Sequence, residues 1–120
     1  MDRRAVGDEA ESAVAAFLEA RGYRVRHRNF HCQYGELDLV AEKDTTVCFV
    51  EVRMRSSATW GDPSHSVSFK KQRRVVKAAL HYMFQHKLED RMIRFDVVSV
   101  IGRGERAQLE HLPNAFDAGM

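Results

Sequence analysis

Acidic side chains stand at positions where a folded chain ordinarily puts apolar ones. Glu36, Asp38 and Glu51 lie in the most strand-like part of the sequence, the runs Glu36 to Ala41 and Thr46 to Arg53, where inward positions should be hydrophobic. A hairpin turn between Lys43 and Asp44 would set Asp38 opposite Phe49 and Glu36 opposite Glu51, so that all four project from one side of a sheet. Like charges facing each other there repel, and a hard divalent cation relieves that repulsion directly. Mg²⁺ takes one or two carboxylates, several waters and a substrate phosphate. Arg53, two residues beyond Glu51, shares their face and is placed to meet such a phosphate. The competing account is a solvated hairpin face on which Arg53 and Arg28 neutralise the acids, and spacing alone does not separate the two. Two helical residues favour the first. Glu11 precedes Val14 by three residues and Leu18 by seven, and Gln72 precedes Val75 by three and Val76 by four. Each is a polar group at the border of an apolar helical stripe, and both converge on the acidic sheet.

The elements that must position these residues follow from periodicity. Ala10, Ala13, Val14, Phe17 and Leu18 predict a helix over Asp8 to Arg21, closed by Gly22. Tyr23, Val25 and His27 alternate with Arg24, Arg26 and Arg28, the period of a strand whose basic face meets solvent. A polar stretch over Asn29 to Tyr34 precedes the two hairpin strands, which Glu42 to Thr45 connect. Met54 to Val67, with its serines, Trp60, Gly61 and Pro63, reads as a loop. A second helix is predicted over Phe69 to His86, with Ser68 as its N-cap and Val75, Val76, Ala79, Leu80 and Met83 facing inward. Ile93 to Ile101 is apolar enough for a strand buried on both faces. A last short strand near Gln108 to Leu112 leaves a poorly ordered tail, so the chain reads as one domain over 1–112 with a tail over 113–120. Helix, three strands, helix and two strands predict an α/β fold of three layers, with a central mixed sheet between helices.

The 120 residues carry a formal net charge of +2, too little by itself to identify a polyanion partner. Its distribution is more telling: Lys70, Lys71, Arg73, Arg74 and Lys77 crowd one helix, and Arg53 and Arg55 follow Glu51. Two cysteines without a CxxC pair indicate neither a disulfide framework nor a zinc site. No apolar run suggests a membrane span or a signal peptide, so a soluble cytoplasmic protein is expected.

The runs Gly35-Glu36-Leu37-Asp38-Leu39-Val40-Ala41 and Phe49-Val50-Glu51-Val52-Arg53-Met54-Arg55, the early Gly7-Asp8-Glu9-Ala10-Glu11, the Arg28-Asn29-Phe30 segment and the Arg94-Phe95-Asp96-Val97-Val98 strand occur in order across nearly the whole chain. Together they resemble the YraN-like family of uncharacterised bacterial proteins, which is similar in turn to archaeal Holliday-junction resolvases of the restriction-endonuclease-like PD-(D/E)XK superfamily. The resemblance implies a Mg²⁺ or Mn²⁺ site held by Glu11, Asp38 and Glu51, with Gln72 similar to a helical glutamine of some members. Glu36 belongs to the Gly-Glu-x-Asp run without a clear superfamily role. Arg53 occupies the usual lysine position and, staying protonated, can stabilise charge on a phosphate but not act as a base. The implied activity is metal-dependent cleavage of branched DNA, with Arg55, Lys70, Lys71, Arg73 and Arg74 on backbone phosphates; a homodimer is suggested by the resolvases. The alternatives are a DNA- or RNA-binding module that does not cut and a protein-interaction domain using Trp60.

Overall fold

The computed structural model describes residues 3–55 and 67–118; the expected Trp60 loop therefore lies outside the described residues, except at its ends. Helix α1 spans Arg3–Glu19, strands β1 to β3 span Arg24–Cys32, Gly35–Lys43 and Thr46–Arg55, helix α2 spans Phe69–Gln85, and β4 and β5 span Met92–Ile101 and Gln108–Phe116. The strands form one sheet in the order β1-β2-β3-β4-β5. All neighbours are antiparallel except β3 and β4, which run parallel, with α2 in the crossover between them.

The helices cover opposite faces of this mixed sheet, the three-layer α/β fold expected. Val14 and Leu18 of α1 pack with Leu39, Ala41, Cys48, Val50 and Val98. Val75, Ala79, Tyr82 and Met83 of α2 pack with Leu37, Val40, Val47, Phe49 and Phe95 on the other side. Adjacent residues of β2 and β3 thus feed different cores, which explains why these strands are apolar on both faces. Among the described residues no helix is long and apolar enough to cross a membrane.

Several boundaries differ from expectation, each for a local reason. Helix α1 begins at Arg3 because Val6 extends the Ala10 and Val14 stripe by a turn, and it ends at Glu19, where Gly22 takes φ 88°. The stretch from Asn29 is not a loop: β1 runs through it, with Asn29 at φ 53° and Phe30 buried beyond it. That left-handed residue breaks the strict alternation between Arg28 and Phe30. On the basic face of β1, Arg24 and Arg28 are exposed as expected, while Arg26 is partly buried against Glu42, which Arg24 also pairs. In α2 the inward arc is centred on Val75, Ala79 and Tyr82, so Leu80 is turned out and 44% exposed. Ser68 caps the helix as expected, its side chain accepting from the Lys71 N–H. Finally, β5 does not stop at Leu112. It continues through Pro113 to Phe116, whose ring stacks on Phe95 at 5.1 Å.

Candidate active site

The hairpin turn is tighter than the sequence suggested. Asp44 takes φ 56° and Lys43 pairs with Thr46, so only Asp44 and Thr45 lie outside the ladder. The register consequently puts Val40, not Asp38, opposite Phe49 and runs as far as Leu39 opposite Val50. Beyond Leu39 the strict alternation breaks, since Leu37 and Leu39 feed opposite cores, and the Asp38 carboxylate, not that of Glu36, is the acid that acts on Glu51. There the backbone ladder gives way to a side chain: the Asp38 carboxylate accepts the Val52 N–H, Oδ2 to N being 2.9 Å. Glu36 stays outside this pair, exposed and 3.3 Å from Nδ1 of its cross-strand neighbour His31.

Glu51 is 1% exposed. It follows Phe49 on the face packed by α2, where an apolar side chain would be ordinary. Lys71 of α2 places its Nζ 3.4 Å from Oε1, yet neither carboxylate oxygen has a hydrogen-bond partner of good geometry among the described residues. Burial and the neighbouring Asp38 carboxylate push the Glu51 carboxyl up to about 7, while Lys71 pulls it down. The buried Arg53 Nε and Ser99 Oγ likewise lack partners. Arg53 lies two residues past Glu51 and in register with Ser99, so the unsatisfied groups gather on one face, toward the C-terminal ends of the parallel pair. Buried polar atoms are nearly always satisfied, so several orphans among the described residues in one place call for an explanation.

Glu11 approaches from the other face of the sheet. Its Oε1 accepts from Asn29 Nδ2 at 2.7 Å, and burial, then the Asp38 charge, raise its carboxyl above the ordinary value. Among the described residues no three His, Cys, Asp or Glu side chains form a group able to hold a metal ion. The structure brings together Asp38, Glu51 and Lys71, with Arg53 two residues beyond Glu51 on the same strand and Glu11 tied to Asn29. Gln72 turns back to the helix entry, donating from Nε2 to the Val67 carbonyl at 2.9 Å. Arg28, once weighed as a counter-charge to the hairpin acids, donates to Ser12 Oγ at 2.9 Å instead. Arg55 sits 3.9 Å from Glu110 Oε2.

The cations of α2 border this centre. A groove of about 340 Å³ is lined by Gly35, Glu36, Asp38, Lys71, Arg74 and Val75. Gly35, the glycine of the Gly-Glu-x-Asp run, opens β2 at φ 148°, a conformation that side chains disfavour. Lys70 and Arg73 line an adjoining depression with Phe69, Arg74 and Lys77. Lys70 and Lys71 occupy the first turn of α2, which holds no acid, although a helix N-terminus disfavours cations. An anion there would be met by both the helix and its side chains. A larger cavity, about 560 Å³ and lined by Val6, Ala10, Ala13, Met54 and Val100 among others, opens on the α1 side, away from the Asp38 and Glu51 pair.

Sequence reasoning placed Lys71 among phosphate contacts and missed its pairing with Glu51. The signal was present: Lys71 precedes Val75 by four residues and so shares its inward face. It missed a second cluster entirely. Asp96 is fully buried and receives Arg94 Nε at 2.8 Å, Arg94 Nη2 at 2.7 Å and the Asn114 N–H at 3.0 Å, with His111 Nε2 2.8 Å away.

The model of the uncharacterised protein family UPF0102 matches residues 10–100. A UPF0102 protein of Myxococcus xanthus is 69% identical over 119 residues, covering 99% of this chain and 94% of its own. One from Geobacter metallireducens is 39% identical, covering 98% and 96%, and one from Nitrosomonas europaea is 41% identical, covering 92% of each. All three are described by the family name alone.

Proposed function

The chain belongs to the uncharacterised family UPF0102, the YraN-like family its motifs resemble, and from the Asp38 and Glu51 pair we propose a divalent-metal-dependent phosphodiesterase acting on DNA, branched or otherwise distorted. The observation that carries this reading is Glu51: a buried carboxylate beside a second acid, met by the Lys71 ammonium at one oxygen but with no hydrogen bond of good geometry to either among the described residues. Stability alone gives no reason to keep such a group, since an apolar residue of similar volume would fill the position without desolvation cost. The donor set fits a hard cation. Asp38 and Glu51 supply oxygen only, the ligand type of Mg²⁺ and Mn²⁺, and the groove beside them is open to waters and phosphate. Once bound, the ion supplies Lewis-acid polarisation of the phosphoryl group and a nucleophile at neutral pH.

The chain's own residues do the rest. The Glu51 carboxyl, raised to about 7 by burial and Asp38, would have to lose its proton for a cation to bind there. Lys71, with Nζ 3.4 Å from Oε1, limits the repulsion between the acids. Arg53 offers its guanidinium to the charge that grows on the phosphate as the bond to the leaving oxygen breaks. Arg74, Lys70 and Arg73 hold flanking phosphates along α2.

One observation favours a second reading. Lys71 already stands at Glu51, and an ammonium there can replace a metal's charge in a module that binds DNA without cutting it. A single-turnover assay separates the two. Branched, overhanging and blunt duplex DNA are incubated with Mg²⁺ or Mn²⁺, and with chelator, using the wild type and Glu51→Gln. The catalytic reading expects cleavage with metal that the chelator abolishes and that Glu51→Gln lowers on the order of 10³-fold, the loss of several kcal/mol of charge stabilisation. Binding without cleavage under every metal condition would leave the second reading.

A further inference from the structure

The two depressions along α2 lead away from the acids into a third. Tyr34, Lys77, Leu80, His81 and Phe84 line a depression of about 450 Å³ at the far end of the helix. Arg74 belongs to the first and second depressions and Lys77 to the second and third, so the track is continuous. From Arg74 to Phe84 it covers roughly 15 Å at 1.5 Å per residue. Its end is unlike its start. Phe84 is 74% exposed, Leu80 44% and Tyr34 43%, and the Tyr34 and His81 rings meet with centroids 5.6 Å apart. Single exposed apolar residues are ordinary, but several around one depression mark a binding surface.

We propose that this depression is a stacking site for an unpaired nucleobase, with Tyr34, His81 and Phe84 as its aromatic walls and Lys77 holding the adjoining phosphate. The proposal rests on the nucleic-acid reading above and adds a substrate feature to it: a single-stranded segment next to the cleavage site. Duplex DNA stacks its bases against one another and presents phosphate and groove edges, for which exposed phenyl and phenol faces have little use. An unpaired strand offers both a charge and a π-face at each nucleotide, and cations interleaved with aromatic rings suit that combination. Charge also selects against a second copy of this chain. Helix α2 carries Lys70, Lys71, Arg73, Arg74 and Lys77 and no acid, so a two-fold contact through this face would bring like charges together.

The test measures fluorescence anisotropy with labelled oligo-dT, a blunt duplex and a duplex bearing a single-stranded overhang, all in chelator so that no strand is cut. Variants are Phe84→Ala and Tyr34→Ala, both at exposed positions, with Lys77→Ala for the charge. Each aromatic substitution is expected to weaken oligo-dT and overhang binding on the order of 10-fold, as loss of a base stack does, to change blunt-duplex binding less than about 2-fold, and to leave the salt dependence as in wild type. Lys77→Ala should flatten that dependence. The stacking site is overturned if Phe84→Ala binds oligo-dT like wild type, if it weakens all three probes equally, if no probe binds the wild type, or if its only effect is to dissociate a dimer in sedimentation. The two readings fail separately: binding that follows the expected pattern without metal-dependent cleavage removes the nuclease and keeps the site, whereas cleavage with unchanged Phe84→Ala binding does the reverse.

Discussion

Asp96 and Glu51 are buried acids on the paired parallel strands β3 and β4, offset by one residue in register and so facing opposite sides of the sheet. Burial would push the Asp96 carboxyl up, but donors from His111, Arg94 and Asn114 outweigh it and hold the group below its ordinary value. Arg94 is fixed in turn by the Tyr23 hydroxyl, 2.7 Å away. Glu51 is as deeply buried, but there burial and the Asp38 charge outweigh Lys71, and its carboxyl rises. The contrast separates two uses of a buried charge. On the α1 side a saturated carboxylate ties β5 to the sheet, since His111 and Asn114 both belong to that strand. On the α2 side the carboxylate has Lys71 beside it and no hydrogen bond of good geometry among the described residues, the feature the proposed cation site rests on.

The largest expected effect breaks the first half of this comparison. Asp96→Ala leaves Arg94 without its carboxylate and should cost about 3–5 kcal/mol, read as a fall in the urea midpoint. A change under about 1 kcal/mol would mean that the cluster is not what secures β5.

The second half is sharpened by pH. Because the folded-state Glu51 carboxyl is raised from 4.5 to about 7, the protonated form stabilises the fold. That contribution is full below about 4.5 and is lost as pH rises through about 7, amounting to about 3 kcal/mol at most. Glu51→Gln cannot ionise, so its stability relative to wild type should grow across this window, measured by denaturant melts at pH 4.5 and 8. Asp96 has the opposite sign, since the stability it lends is present at neutral pH and fades as acid protonates it. A Glu51→Gln variant that gains nothing at pH 8 would show that Lys71 satisfies the acid after all.

Arg53 carries the smallest of these effects. Arg53→Ala should lower single-turnover cleavage roughly 10²-fold with little change in DNA binding, as for loss of one donor to a developing negative charge. Arg53→Lys should retain cleavage within about tenfold of wild type, keeping the charge while losing the fork. Equal loss of binding and cleavage in Arg53→Ala would make it a phosphate anchor instead.

Much of this was legible in the residues. The stripe Ala10, Val14 and Leu18, the capped start of α2 at Ser68 and the doubly apolar β4 each obey one local rule, and the fold followed from them. Asp38, Glu51 and Arg53 could be singled out because charge contradicted strand burial. What was hidden depends on single backbone angles or on distance in sequence. Asp44 in a left-handed conformation shortens the turn and moves the register by two residues, so that Val40 replaces Asp38 opposite Phe49 and Asp38, not Glu36, is the acid acting on Glu51. Asn29 at φ 53° carries β1 past a stretch that reads as polar loop. Asp96 meets His111 and Asn114 only because β5 lies against β4, a pairing no local period announces, and Pro113 made that strand look shorter than it is.

Isothermal titration calorimetry with Mn²⁺ tests whether the Asp38 and Glu51 pair is a cation site. At pH 6, in buffers of different ionisation heat, the wild type should bind Mn²⁺ and release a proton as Glu51 ionises. Glu51→Gln should lose both the binding and the proton, while Asp96→Asn, if folded, should keep them. Mn²⁺ binding by Glu51→Gln with wild-type affinity and proton release would contradict the account, as would a wild type that takes up no Mn²⁺ even with DNA present.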